Sequence, residues 1–358
     1  MNRAHRARAI VGSGFTAAAL AVGAGLPAQA ASPTGWRVVS SQHYGSATAY
    51  SGLMTVVAPA KKVAWALGGS DLSGATAGTP VAEQWNGAAW QTATLPSGLT
   101  SYIEAASAPG SKDIWAVSGL GEYVLHYDGT TWSVAKQWPP GGIALQLTGV
   151  TAFSPTNVWV FGGPGGDPGL GTWHLHGTTW TQVTGPGGGI ATASALSARD
   201  IWAIGASSAP QRTIVHYDGT RWQKVASPVL SGLQFNGIDA LSATNIWLSA
   251  MKGSKPELVH YNGQVWQPIT VPWSLSAGHL ASDGQGGVWV TGDKLANNGA
   301  YALHCTSAGA WSRTLLGTQA LVSSFALIPG TTSVWAAGFL PDPTSGGDAT
   351  VWAHGAAG

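Results

Sequence analysis

The chain has 358 residues, of which 51 are glycine and 19 are tryptophan, and charged residues make up only 9%. Hydrophobic residues make up 44%, which excludes a disordered chain, because disorder requires low hydrophobicity and high net charge. The formal net charge of +1 argues against a nucleic-acid partner, because there is no excess of cations to displace counterions from phosphates.

The N-terminus predicts a secretory signal. Arg3, Arg6 and Arg8 precede an apolar run over residues 10–26, and residues 28–30 (Ala-Gln-Ala) form a small-x-small cleavage site. We therefore expect a signal peptide at 1–30, a secreted protein that is extracellular or cell-wall associated, and a single mature domain at 31–358 without an integral membrane segment. The alternative is an N-terminal membrane anchor. Removal of the signal leaves 13 Lys+Arg against 15 Asp+Glu, a net charge of −2.

Downstream of the signal, one tryptophan recurs about every 45 residues. It follows a turn-forming residue by two positions in its clearest copies, as in Asp113-Ile-Trp115 and Asn157-Val-Trp159. The seven members of this first series are Trp65, Trp115, Trp159, Trp202, Trp247, Trp289 and Trp335. A fixed period of this length indicates a repeat architecture.

A second signal follows each of the first six. It reads His-Tyr-Asp-Gly-Thr-Thr-Trp at 126–132 and His-Tyr-Asp-Gly-Thr-Arg-Trp at 216–222, with a close copy at 260–266. Degenerate copies lie at 84–90, 174–180 and 304–311. Asp-Gly or Asn-Gly between two apolar runs predicts a tight β-hairpin.

Each unit therefore contains four short strands, which is the pattern of a β-propeller blade. The fold class predicted is all-β: a seven-bladed β-propeller of four-stranded antiparallel blades. The seventh unit ends before its fourth strand, and residues 35–39, which contain Trp36, supply an unassigned strand of that kind. We expect this N-terminal strand to close the ring and leave no open sheet edge at the junction.

The chain resembles secreted bacterial seven-bladed propellers of the broad group with WD40, kelch, Asp-box and two-component-regulator repeats. Residues 283–291 (Asp-Gly-Gln-Gly-Gly-Val-Trp-Val-Thr) resemble a regulator-type and lyase-type blade motif. Residues 218–222 resemble an Asp box that is one residue short. No single family pattern fits all seven units, so the resemblance implies the fold and no particular activity.

Residues that recur in every blade are interpreted as structural. Besides the first series, the second comprises Trp36, Trp90, Trp132, Trp180, Trp222, Trp266 and Trp311. The recurring histidines are His126, His174, His216, His260 and His304. One per blade, they are spread around the ring and are expected to form hydrogen bonds inside each blade. Cys305 is expected to be a buried thiol, and neither a metal nor a cofactor is predicted.

Recognition is expected on the face formed by the loops that break the repeat. These are the connections from strand two to strand three and from strand four to the next blade; the former include Tyr123 and Arg212. Two tryptophans outside both series lie beside prolines on the latter connections: Trp138 before Pro139 and Trp273 after Pro272. They predict a stacking platform for a sugar or a protein side chain. The alternative is packing against the next blade.

A second candidate region is the channel mouth, where strand one begins. It carries polar residues that differ between blades: Tyr102, Glu104, Gln234, Asn236 and His279. The favoured hypothesis is a monomeric, non-enzymatic propeller that binds a glycan or protein ligand. The alternative is a lyase or glycoside hydrolase with an acid/base pair at the mouth, such as His279 with Glu104. Fold does not distinguish the two, because propellers support both.

Overall fold

The computed structural model describes residues 35–72, 78–120, 123–138, 147–162, 171–183, 189–206, 212–294, 299–344 and 346–356. The predicted signal peptide and parts of the blade-connecting loops lie outside these residues. Within these residues, twenty-eight strands form seven four-stranded antiparallel sheets, as the repeat predicts. Within the described ranges, no helix is long and apolar enough to cross a bilayer.

The seven sheets are numbered as blades in chain order, and each contains strands one to four from the channel outward. Blade 1 comprises β2 (Gly52–Ala60), β3 (Val63–Ser70), β4 (Thr79–Trp85) and β5 (Trp90–Thr92); blade 2 comprises β6 (Ile103–Gly110), β7 (Asp113–Ser118), β8 (Tyr123–Tyr127) and β9 (Trp132–Gln137). Blade 3 comprises β10 (Leu147–Ser154), β11 (Asn157–Gly162), β12 (Thr172–His176) and β13 (Thr179–Val183); blade 4 comprises β14 (Gly189–Ser197), β15 (Asp200–Ala206), β16 (Thr213–Tyr217) and β17 (Trp222–Lys224). Blade 5 comprises β18 (Gln234–Ser242), β19 (Asn245–Lys252), β20 (Lys255–Tyr261) and β21 (Trp266–Thr270); blade 6 comprises β22 (Ser276–Ser282), β23 (Val288–Lys294), β24 (Gly299–Cys305) and β25 (Trp311–Thr318). Blade 7 comprises β26 (Leu321–Leu327), β27 (Val334–Leu340), β28 (Asp348–His354) and β1 (Trp36–Gln42).

The N-terminal strand closes the ring, which confirms the sequence prediction. Strand β1 pairs antiparallel with β28, and Trp36 lies opposite His354. The guanidinium of Arg37 adds a hydrogen bond to the carbonyl of Gly355, at 2.7 Å. The innermost strands contact one another in order around the ring, and β26 of blade 7 contacts β2 of blade 1. The first and last parts of the propeller therefore hold each other in place.

A buried carboxyl group marks the junction between blades 7 and 1. Glu83 on β4 accepts a hydrogen bond from the Ser40 hydroxyl on the closing strand, at 2.7 Å. The Tyr44 hydroxyl donates to the other carboxylate oxygen at 3.2 Å. Burial raises the pKa of Glu83, and the two hydroxyl donors act in the opposite direction. The junction is thus held by polar contacts as well as by apolar packing.

The first tryptophan series forms the interior of the blades. Trp65, Trp159, Trp247 and Trp335 are among the largest fully buried side chains. Several of these rings meet a second-series ring of the next blade edge to face, as Trp65 meets Trp132 with centroids 5.2 Å apart. Because each indole can bury roughly 150–250 Å², these contacts supply much of the packing in a chain with six phenylalanines.

Each repeated histidine lies in a fixed three-residue arrangement. It stacks on the first-series tryptophan of its own blade, as His216 does on Trp202 with centroids 4.2 Å apart. Its Nε2 atom lies 2.8–2.9 Å from an Asp or Asn oxygen at the first residue of strand two or, in blade 6, in the turn before that strand. The five partners are Asp113, Asn157, Asp200, Asn245 and Asp283. The prediction of hydrogen bonding inside the blade is confirmed.

Candidate functional site

The two faces of the propeller differ in how regular they are. The turns between strands one and two and between strands three and four form one face, here called the turn face. On it the Asp-Gly hairpins repeat: the Asp128 carboxylate accepts the amides of Thr130 and Thr131 at 2.8 and 2.9 Å. The connections from strand two to three and from strand four to the next blade form the other face, here called the upper face. Because those connections differ in every blade, the upper face is the candidate for an asymmetric ligand site.

Trp138 lies in the core between blades 2 and 3. Its side chain is 8% exposed, and its ring meets Trp173 of blade 3 edge to face at 5.6 Å. The Lys136 ammonium lies 5.4 Å from the centroids of both rings. The sequence allowed two roles for Trp138, a stacking platform or packing against the next blade, and its contacts in the structure are those of packing. Trp138 therefore anchors the connection between two blades.

Trp273 is only half-buried and lies in the groove between blades 5 and 6. Its ring meets Trp311 of β25 edge to face, with centroids 6.0 Å apart. The Arg313 guanidinium lies 5.0 Å from the Trp273 centroid and 5.6 Å from that of Tyr301. Arg313 is exposed, and so is its neighbour Leu315. We call this set, Trp273, Tyr301, Trp311, Arg313 and Leu315, the blade 5–6 groove. It combines aromatic faces with a cation that reaches solvent.

At the mouth of blade 2, the structure brings Tyr102 and Glu104 together. The Tyr102 hydroxyl donates a hydrogen bond to Glu104, and burial together with the nearby carboxylate raises the pKa of Tyr102. Tyr102 packs closely on Gly69 of blade 1: a Cβ atom added to Gly69 would lie 2.5 Å from the Cβ of Tyr102. Glu104 is buried. Tyr123 is buried as well and donates to the Ser101 carbonyl. This cluster ties the second blade to the first.

A second group of predicted residues links blades 4, 5 and 6. Arg212 of blade 4 donates to the Phe235 carbonyl of blade 5 at 3.3 Å. Asn236 of blade 5 donates to the Ala277 carbonyl of blade 6 at 2.9 Å. The backbone amide of His279, on the inner strand of blade 6, donates to the Thr291 hydroxyl at 2.9 Å. The His279 side chain is half-buried. Gln234 is exposed. Several polar residues that mark the channel mouth in the sequence thus also serve to join neighbouring blades.

His279 and Glu104, the acid/base pair considered in the sequence, lie on blades 6 and 2. Glu104 is engaged by Tyr102, as described above. A different carboxyl group shares blade 6 with His279. Asp293 is the penultimate residue of strand β23 and lies opposite Ser276, and burial raises its pKa to about 6. Nothing in the repeat pattern distinguishes Asp293 from a solvated loop residue, so sequence reasoning missed it.

Metal binding was not predicted, and the described residues contain no group of three or more His, Cys, Asp or Glu side chains that could hold an ion. The repeated histidines are directed at their own turn residues, as shown above. Cys305 is buried, and burial together with the nearby Asp283 carboxylate raises the pKa of its thiol to about 11. A thiol with such a pKa stays protonated and is a poor nucleophile.

Comparison with known proteins supports the fold. No protein-family model matches the chain, and no curated protein matches it significantly. Among solved structures, a streptogramin B lyase is similar with a TM-score of 0.62 and 11% identity, over 88% of this chain and 97% of that one. YCF48 bound to D1 peptide is similar with a TM-score of 0.59 and 13% identity, over 93% of this chain and 100% of that one. A GH74 xyloglucanase from Xanthomonas campestris has a TM-score of 0.58 and 15% identity, over 85% of this chain and 53% of that one. At these identities the similarity shows a shared propeller fold and leaves function open.

Proposed function

We propose that the chain is a secreted, non-enzymatic binding propeller that holds a glycan or protein ligand on its upper face. The blade 5–6 groove carries the proposal. There an indole outside the repeat is half-buried beside an exposed guanidinium, 5.0 Å from its ring. Tryptophan, tyrosine and arginine are enriched among the few residues that supply most of the binding energy at recognition surfaces.

Secretion is part of this proposal and is supported by the arginines, apolar run and cleavage site within residues 1–30. Expression of the full chain in a secreting bacterial host tests it. N-terminal sequencing of the exported protein is expected to begin at Ala31. Retention of the complete chain in the membrane fraction would favour the anchor instead.

The similar structures include a peptide complex, a lyase and a glycoside hydrolase, so the alternative of a propeller enzyme is kept. One observation favours it: Asp293, with a pKa raised to about 6 by burial, has the property required of a general acid near neutral pH. It lies on the same blade as His279. In the favoured, non-enzymatic function the Asp293 carboxyl group has no catalytic role.

The test begins with glycan and peptide arrays probed with the mature chain. Any ligand so found is then titrated against the parent, Trp273→Ala and Trp273→Phe. Loss of a true aromatic anchor is expected to weaken binding at least about fivefold, with the phenylalanine variant intermediate. The melting temperature of Trp273→Ala should stay close to that of the parent.

The enzymatic alternative is tested in parallel by a lyase and glycoside hydrolase screen. Turnover that is lost in Asp293→Asn and kept in Trp273→Ala would replace the binding proposal with the enzymatic one. Array binding that is weakened by Trp273→Ala, together with no turnover, supports the binding function.

A further inference from the structure

The tip of blade 5 presents two lysines on a rigid hairpin. Strands β19 and β20 are joined by a two-residue turn, Gly253 and Ser254, and Gly253 has a φ of +62°. Glycine at the first central position matches the tight turns whose twist suits a hairpin. Lys252 and Lys255 flank this turn and lie directly opposite each other in the ladder. Both are exposed on the upper face.

This pair does not serve the stability of the blade. Like charges directly opposite each other on neighbouring strands repel, and they destabilise a hairpin. In the described part of the chain, neither ammonium forms an ion pair with a carboxylate. Glu257, on the same side of the strand as Lys255, is half-buried beneath the tip. The two lysines therefore form a small cationic patch at the tip of the β19–β20 hairpin, which is complementary to an anionic partner.

Other charges on this side of the ring extend the cationic surface. Arg212 of blade 4 and the exposed Arg313 of the blade 5–6 groove lie on either side of the hairpin's blade. Among the described residues, the carboxyl groups near the ends of these strands are Glu257 and Asp293, and burial shifts Asp293 toward its neutral form. On the opposite side of the ring, the blade 7–1 junction carries carboxylates instead, with His43 3.4 Å from Asp348. Lys252 and Lys255 thus form a cationic tip of blade 5 on the upper face, and Arg313, two residues into β25, adds a cation in the adjoining blade 5–6 groove.

We propose that the upper face over blades 4–6 binds an acidic segment of polypeptide. Its carboxylates pair with Lys252 and Lys255, and an aromatic or apolar side chain packs in the blade 5–6 groove on Trp273. The inference rests on the proposed binding function and names its ligand class. A polypeptide is favoured because the exposed Leu315 adds an apolar contact suited to amino-acid side chains.

The experiment uses the mature chain and a fluorescein-labelled oligoglutamate peptide, with and without a tryptophan in its sequence. Anisotropy titrations compare the parent with Lys252→Glu/Lys255→Glu and with Lys252→Arg/Lys255→Arg. The matched control is Lys61→Glu/Lys62→Glu, an equally exposed adjacent pair on the turn face, which changes the net charge by the same amount. Thermal melts confirm that all variants are folded.

Reversal at 252 and 255 is expected to weaken oligoglutamate binding about tenfold or more at low salt, while the arginine pair binds like the parent. The control reversal at 61 and 62 should change binding less than about twofold. The tryptophan-containing peptide should bind more tightly than plain oligoglutamate, and Trp273→Ala should abolish that difference.

Equal losses in both reversal variants, or no loss at 252 and 255, would overturn the inference. Preference for oligogalacturonate over both peptides would also overturn it, because the partner would then be an acidic glycan. If Trp273→Ala weakens an array ligand while Lys252→Glu/Lys255→Glu leaves oligoglutamate binding unchanged, the binding function stands and only the ligand class is wrong. If neither an array ligand nor oligoglutamate binds, both proposals fail.

Discussion

The imidazole of His260 stacks on the indole of Trp247, with centroids 4.3 Å apart and planes inclined by 23°. The Nδ2 group of Asn245 donates to the Gly286 carbonyl at 3.1 Å, so its Oδ1 faces the histidine and accepts from Nε2–H at 2.9 Å. A neutral ring satisfies this geometry. Blades 3 and 5 use asparagine at this position, while blades 2, 4 and 6 use aspartate.

Burial of His260 beside a neutral asparagine makes blade 5 sensitive to acid. Burial lowers the pKa of His260, so the folded state binds fewer protons than the unfolded state near pH 6. Stability should therefore be fully present above the ordinary histidine pKa of about 6.5 and fall as the pH drops through it. In Asn245→Asp a carboxylate would favour the charged ring, and NMR titration should show a higher pKa for His260. An unchanged His260 titration would contradict this account of the partner's role.

Asp293 predicts a pH dependence of the opposite sign. Its pKa is raised to about 6, so the folded state binds more protons than the unfolded state, and stability falls as the pH rises from about 4 through 6. Asp293→Asn removes this effect. The variant should be more stable than the parent at pH 7.5 by about 1–3 kcal/mol and similar to it at pH 4, measured by urea denaturation. Equal destabilisation at both pH values would show that the carboxylate has a favourable partner.

Trp138 and Trp273 should respond differently to truncation. Trp138 is buried against Trp173, so Trp138→Ala leaves a cavity and should cost about 3–5 kcal/mol of unfolding free energy. The folded variant should bind an array ligand as the parent does. Urea denaturation and the binding titration measure the two effects separately. A stable Trp138→Ala variant with weakened binding would place the ligand at the blade 2–3 boundary.

Removal of the closing strand should open blade 7. Deletion of residues 31–39 removes the strand residues up to Val39, including Trp36, which packs on Trp289 with centroids 5.2 Å apart. Because residues 352–354 of β28 would then lose their pairing partners, the deletion should lower the melting temperature sharply and promote aggregation. Calorimetry and light scattering measure both effects. A melting temperature within a couple of degrees of the parent would contradict a stabilising role for the closing strand.

The fold could be predicted because turn residues and tryptophans mark where the strands of each repeat begin and end. The hairpin signals and the two tryptophan series recur about every 45 residues, and each has a structural role in the blade. Even so, the partner of His304 was not evident. Asp283 lies six residues before Trp289 and still reaches the histidine, at 2.9 Å, because a glycine-rich turn folds back. The spacing of residues in the sequence does not show that this turn brings Asp283 back to His304.

The candidate site could be predicted only in part. Trp138 and Trp273 have similar contexts, each beside proline on a connection between blades. Their burial differs because Trp173 of blade 3 covers the first, whereas the exposed Arg313 covers the second. Lys252 and Lys255 resemble an ordinary solvated turn in the sequence, and only the strand register shows that they face each other. Tertiary neighbours decide such cases, and a repeat pattern contains no information about them.

Hydrogen–deuterium exchange, with and without a ligand identified on the arrays, tests the central claim most directly. We expect slower exchange on ligand binding at the β19–β20 hairpin, along β25 and in the connection that contains Trp273. The turn-face hairpins at 126–132 and 216–222 should exchange as they do in the free protein. Protection confined to those hairpins, with the blade 5–6 groove unchanged, would contradict a ligand site on the upper face.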